Sequence, residues 1–121
     1  MNFTELEVWK KSRDFRNKMF KLTKGFTVSE KYVLTDQLLR ASRSITANIA
    51  EGHGRFHYQE NIRFCRMARG SLFESFDHLI CALDCHYIKE DYLESIKIDI
   101  EEINRILNGY IGYLQNKKSN S

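Results

Sequence analysis

The sequence predicts an all-α protein, an antiparallel up-down-up-down four-helix bundle. Four stretches repeat apolar residues at helical spacing, the segments between them are short, and the 121 residues include no proline. Short connections make consecutive helices run antiparallel. A chain of this length forms one domain and buries a real core without disulfides. Residues 1–115 are assigned to the bundle and 116–121 to a polar C-terminal tail.

The first helix is expected over residues 4–24. Thr4 and Glu7 have capping-box spacing, Val8, Ser12, Phe15, Met19 and Leu22 share a face, and Gly25 is a natural stop. Leu6, Trp9 and Phe20 lie off that face. The second helix, over 30–51, repeats Leu34, Leu38, Ala41, Ile45 and Ile49, with Ser42, Ser44, Thr46, Ala47 and Ala50 keeping its flanks slim. Small flanks admit a close neighbour. Asn48 sits about 60° from Ile45 at the margin of the apolar face, where its amide must find partners. Glu51 and Gly52 end this helix, with Gly52 suited to the left-handed C′ position.

The third helix is expected over 58–86. Phe64, Ala68, Leu72, Ser75, Leu79, Ala82 and Leu83 form its core face, and Ile62, Phe73, Phe76 and Ile80 widen the apolar arc. Gly70 inside it weakens the helix by about 1 kcal/mol relative to alanine, so a close helix contact is expected there. The fourth helix, over 90–115, carries Tyr92, Ile96, Ile100, Ile103, Leu107, Tyr110 and Leu114 as a clean stripe. Its other faces hold Asp91, Glu94, Asp99, Glu101 and Glu102.

Several functions are excluded. No apolar run approaches the roughly 18 residues needed to span a membrane, and no charged-then-apolar leader precedes a cleavage site. Three cysteines without a framework spacing fit a reducing cytoplasm. His78, Cys81 and Cys85 can share a helix face, but such residues beside an apolar arc pack more often than they ligate. No CxxC pair supports a metal, and no cofactor is expected. His53 and His57 flank a turn as ordinary loop histidines. There is no GxSxG, Gly-rich phosphate loop or HExxH. A HEPN-type ribonuclease needs an arginine shortly before a histidine, and Arg69 and His78 are too far apart. No enzyme is indicated.

Charge is more informative than motif. The net charge is +3, but residues 1–26 carry seven basic and three acidic groups, and residues 52–71 carry four and one. Residues 72–121 carry five basic and nine acidic groups. Lys10, Lys11, Arg13, Arg16 and Lys18 ring the first helix, while Arg55, Arg63, Arg66 and Arg69 occupy the second turn and the start of the third helix. If the early half of the third helix lies beside the first or the second, the nine can merge into one surface for RNA or DNA, with guanidinium groups gripping phosphate bidentately. The alternative is a protein–protein adaptor whose charges serve assembly without nucleic acid. A pI of about 8.8 lies below the strongly basic range that marks nucleic-acid binders.

Leu6, Trp9 and Phe20, with Ile62, Phe73, Phe76 and Ile80, exceed what one four-helix core covers. They are assigned to an oligomer interface. A basic N-terminal half facing the acidic fourth helix of the next subunit would close a ring.

Trp9 within LEVWKKS, LTKGF ending at Phe26, then Glu30, Tyr32, Leu34 and Gln37, SITANIAEGHGR and ARGSLFE together resemble the bacterial 23S rRNA intervening-sequence group. The match covers nearly the whole chain, and Asn48–Arg55 is its most specific part. Ser44, Asn48, Glu51 and Gly52 belong to this motif and are expected to be structural. Members are similar to the accessory variability determinant of diversity-generating retroelements, which implies a ring-shaped homopentamer with nucleic-acid affinity; the resemblance does not imply an enzyme. Two positions depart from the pattern. Thr27 and Thr46 stand where prolines are common, which loosens a turn and leaves the second helix straighter.

Overall fold

Each apolar stripe forms a helix. In the computed structural model, which describes residues 1–120, α1 spans Glu7–Thr23, α2 Leu34–His53, α3 Tyr58–Asp84 and α4 Glu90–Ser119. Single 3₁₀ turns at Phe3–Glu5 and Val28–Glu30 precede α1 and α2. No strand occurs among the described residues.

Side-chain pairings across the seams give the directions. On α1 and α4, Lys11 meets Glu102 at 3.1 Å and Lys18 meets Asp99 at 2.6 Å. Ser71 donates to Ser44 at 2.9 Å, and Gly52 packs on Asn61. Lys118 donates to Gln59 and Arg69 to Asn108, both at 2.6 Å. On the α1–α2 seam, Arg16 donates to Thr46, while Leu6 lies by His53. In every case the numbers rise on one helix as they fall on the other, so all four neighbouring pairs are antiparallel. α1 and α3 do not touch and stand diagonally opposite.

The core runs through Phe15, Met19, Leu38, Ile45, Leu72, Leu79, Ile103 and Leu107, all buried. A side chain of this size contributes about 1.5–3 kcal/mol when fully buried. Ser12, Ser42 and Ser75 are buried among them and donate to the carbonyls of Val8, Leu39 and Ser71. Serine thus serves as a slim residue whose hydroxyl is already satisfied.

The ends differ from the sequence expectation. The capping box is Asn2 with Glu5, on the first 3₁₀ turn, not Thr4 with Glu7. Both pairs have the same spacing, and the earlier one wins because asparagine is at least as good a cap. α2 starts at Leu34 rather than residue 30 because Val28–Glu30 forms its own turn. α2 then passes straight through Gly52 to His53, and its cap Gly54 has an ordinary φ of −75°. α3 stops at Asp84, where His86 takes a left-handed φ of 65°. His86 and Tyr87 donate to the carbonyls of Leu83 and Ala82, a Schellman closure. α4 continues to Ser119, its last turn carrying Lys117 and Lys118, which suit the negative end of the helix dipole. Ser121, at the tip of the expected tail, lies outside the described residues.

Two glycines exchange their expected roles. Gly70 is no contact point, since an added Cβ would meet nothing within 4 Å. A Cβ on Gly52 would lie 2.9 Å from Phe64 Cβ and 3.1 Å from the Asn61 carbonyl oxygen. On α3 the expected core residues Ala68, Leu72, Ser75, Leu79 and Ala82 are buried, and the face differs mainly at its N-terminal end. Asn61, Ile62 and Cys65 are buried, while Phe64 and Leu83 are half-buried. Burial pushes the Cys65 thiol up to about 12, so it stays protonated and inert.

Opposite effects are expected of one substitution at the two glycines. Gly52→Ala should destabilise the fold by about 1–3 kcal/mol, because neither the Asn61 backbone nor Phe64 Cβ is free to retreat. Gly70→Ala should stabilise it by about 0.5–1 kcal/mol through helix propensity. Urea titrations of both variants check this; a neutral Gly52→Ala would contradict the close packing.

Candidate nucleic-acid interface

The nine basic residues singled out in the sequence divide into two groups. Those on α1 are largely engaged within the chain. Lys11 and Lys18 pair with Glu102 and Asp99, and Glu102 holds the Lys11 ammonium above its ordinary range. Arg16 donates to Thr46 at 2.8 Å, and Arg13 and Arg16 stand 5.7 and 5.8 Å from the Trp9 ring centre. Lys10 is exposed on the outer face. The acidic groups of α4 expected to face a neighbouring subunit are thus partly used by the same chain.

The second group gathers at the start of α3. Arg63, Arg66 and Arg69 follow one another at single-turn spacing, and no carboxylate among the described residues pairs with Arg63 or Arg66. Arg66 and Lys118 line one groove of about 270 Å³ with Gln59 and Gln115. Lys117, one residue earlier, turns to Tyr113 instead, 5.7 Å from its ring centre. Lys117 and Lys118 escape the sequence reading because that reading ends the helix at 115. The signal for them was present: two lysines in a last turn favour continuing a helix. Because α1 and α3 are diagonal, the nine do not form one surface; the α3 group is completed by α4.

Arg55 belongs to the corner rather than the edge. It reaches Glu51 at 2.7 Å and Glu60 at 3.8 Å, and its guanidinium lies 5.0 Å from the Phe64 ring centre. Its charge is compensated where it stands. Asn48 donates to the carbonyl and the hydroxyl of Ser44, both at 2.9 Å, and Ser71 donates to that hydroxyl from α3. Ser44, Asn48, Glu51, Gly52 and Arg55 therefore build the α2–α3 corner. Thr46, at a position where proline is common, accepts from Arg16 and donates to the Arg43 carbonyl, so α2 stays unbroken.

The residues assigned to a subunit interface separate by burial. Ile62 is 1% exposed and lies inside the chain's own core, so it cannot serve a neighbour. It lies to one side of the main stripe, yet it is buried with Asn61 and Cys65 at the start of α3. Leu6, Trp9 and Phe76 are half-buried against the core, and Phe3 meets Trp9 edge-on at 5.4 Å. Phe20, Phe73 and Ile80 remain exposed by 40–47%. His78 bonds Glu74, and Cys81 and Cys85 are free and exposed. The described residues contain no cluster of three or more metal-ligating side chains, and no described helix is long and apolar enough to cross a membrane.

Residues 4–109 match the family described as 23S rRNA-intervening sequence protein. The chain belongs to that family. It is also similar to a solved structure from Bacteroides thetaiotaomicron, a protein of unknown function from the S23 ribosomal protein family. The two share 31% identity with a TM-score of 0.77, over 86% of this chain and 97% of the other. No curated protein matches the chain. The Asn48–Arg55 stretch leads into the corner, where Arg55 bonds Glu51 and Asn48 bonds Ser44.

Asn48→Leu tests that structural role. The variant removes both bonds to Ser44 while Ser71 keeps its own, so a loss of about 1 kcal/mol is expected. Thermal unfolding checks this, and an unchanged melting temperature would place Asn48 outside the fold's support.

Proposed function

We propose that this protein is a non-enzymatic, homo-oligomeric bundle of the cytoplasm that binds RNA or DNA through the α3–α4 edge. The supporting observation is Arg66, which pairs with no carboxylate among the described residues and lines one groove with Lys118, with Arg63 and Arg69 one turn to either side. Guanidinium and ammonium groups placed this way grip phosphates in any sequence. The three cysteines, all free, suit a reducing compartment.

Phosphate binding releases counterions, so affinity falls steeply with salt. Replacing Arg63, Arg66 and Lys117 together by glutamine should weaken binding to mixed oligonucleotides alike and flatten the log–log salt slope by about 2. Lys11→Gln with Lys18→Gln should flatten it less, because Glu102 and Asp99 already neutralise those charges. Fluorescence anisotropy at several salt concentrations reads both. Absence of wild-type affinity at low salt would remove the nucleic-acid reading.

Phe20, Phe73 and Ile80, large and half-exposed, support assembly. The number five rests on the family resemblance alone. Phe73→Glu with Ile80→Glu should reduce the scattering mass toward the 14.4 kDa of one chain while leaving helix content intact. A wild type that already scatters as 14.4 kDa at micromolar concentration refutes assembly. The same exposed rings favour the second reading, a protein adaptor. A large assembly with no oligonucleotide affinity would select it.

A further inference from the structure

Where α2 hands over to α3, a cavity of about 360 Å³ opens between the His53–Tyr58 corner, Leu6 and the last turns of α4. Four aromatic rings, Phe56, Tyr58, Tyr110 and Tyr113, line it together with two histidines, and no carboxylate does. Phe56 is fully exposed, so its ring gains nothing from its own chain. Tyr113 lies nearly parallel to Tyr110, at 12° and 6.3 Å, with the Lys117 ammonium at its outer side.

The floor is polar. Asn61, only 7% exposed, donates to the Tyr110 hydroxyl at 3.2 Å. That hydroxyl accepts the bond and keeps its own proton to give into the cavity. Burial raises its pKa, with the Asn61 bond working the other way, so it remains a donor at neutral pH.

Flat apolar walls, a recessed hydrogen-bonding group and a cationic rim match a planar ring that carries phosphate. The volume falls within the roughly 300–1,000 Å³ of small-molecule sites. The cavity and the basic edge lie at the same level of α3 and α4: Tyr58 and Leu114 line the cavity, while their sequence neighbours Gln59 and Gln115 line the Arg66 groove. We infer that this cavity is a nucleobase pocket, taking one unpaired base of a strand whose phosphates follow the α3–α4 edge. The inference rests on the nucleic-acid reading above. A free nucleoside monophosphate presents the same chemistry, and the test separates the two sources.

The full chain is titrated with a single-stranded RNA carrying 2-aminopurine, with an abasic strand of equal length and charge, and with adenosine monophosphate. The RNA should bind more tightly than the abasic strand, by about five- to 100-fold, the range of one base–aromatic stack. Phe56→Ala should abolish that difference while leaving the salt slope unchanged, since stacking releases no counterions. Arg63→Gln with Arg66→Gln should do the reverse. Equal wild-type binding of both strands overturns the pocket and leaves the phosphate-binding edge standing. Binding of adenosine monophosphate alone, lost in Phe56→Ala, upholds the pocket and overturns the strand. If none of the three probes binds, both readings are wrong.

Discussion

The α2–α3 corner closes with no side chain between the two helices at residue 52, and much of the bundle follows from that contact. Asn61 and Phe64 occupy the space where any other residue would carry its Cβ. With that approach set, Ser44 comes within bonding distance of Ser71, two turns further along. Arg55 is then placed to cover Phe64 and bind the carboxylates of both helices, Glu51 and Glu60. A one-atom side chain would push all of these apart together, because packed interiors transmit strain instead of absorbing it.

Charge is arranged with a comparable division. α1 brings its lysines to α4, whose Asp99 and Glu102 answer them across a seam. The pairs are largely exposed, so their contribution to stability is small. Their larger effect is to cancel field on that side of the molecule. Toward its C-terminal end α4 turns basic, and there it meets the arginines of α3. One helix therefore neutralises a basic surface at one end and extends one at the other.

The helices themselves are legible in the sequence, since Leu34 to Ile49 or Tyr92 to Leu114 admit no other period. Boundaries are less so, because two caps of equal spacing compete at the N-terminus and local sequence does not rank them. Glycine roles are hardest to read. Gly52 and Gly70 look alike in a helical pattern, and only the neighbour's position separates contact from open space. For the same reason the nine basic residues appear as one set. That α1 lies diagonal to α3, and that Lys118 replaces it beside Arg66, depends on which helix stands where. Ile62 shows the converse error, an apolar residue assigned outward although the neighbouring helices cover it at the start of α3.

The seam between α1 and α4 has a consequence for motion. It is the sparsest of the four, with charged side chains around a small gap lined by Lys11, Lys18, Asp99 and Glu102. Behind the charged rim Phe15 and Ile103 also line the gap, so the outer pairs can open while the buried Phe15 and Met19 keep α1 in the core. Counter-ions reach exposed pairs freely and weaken them further. α1 is thus the helix that approaches its α4 neighbour least closely and relies on charge at that rim. Amide protons on α1 would exchange earlier than those on α2 and α3, and earlier still as ionic strength rises.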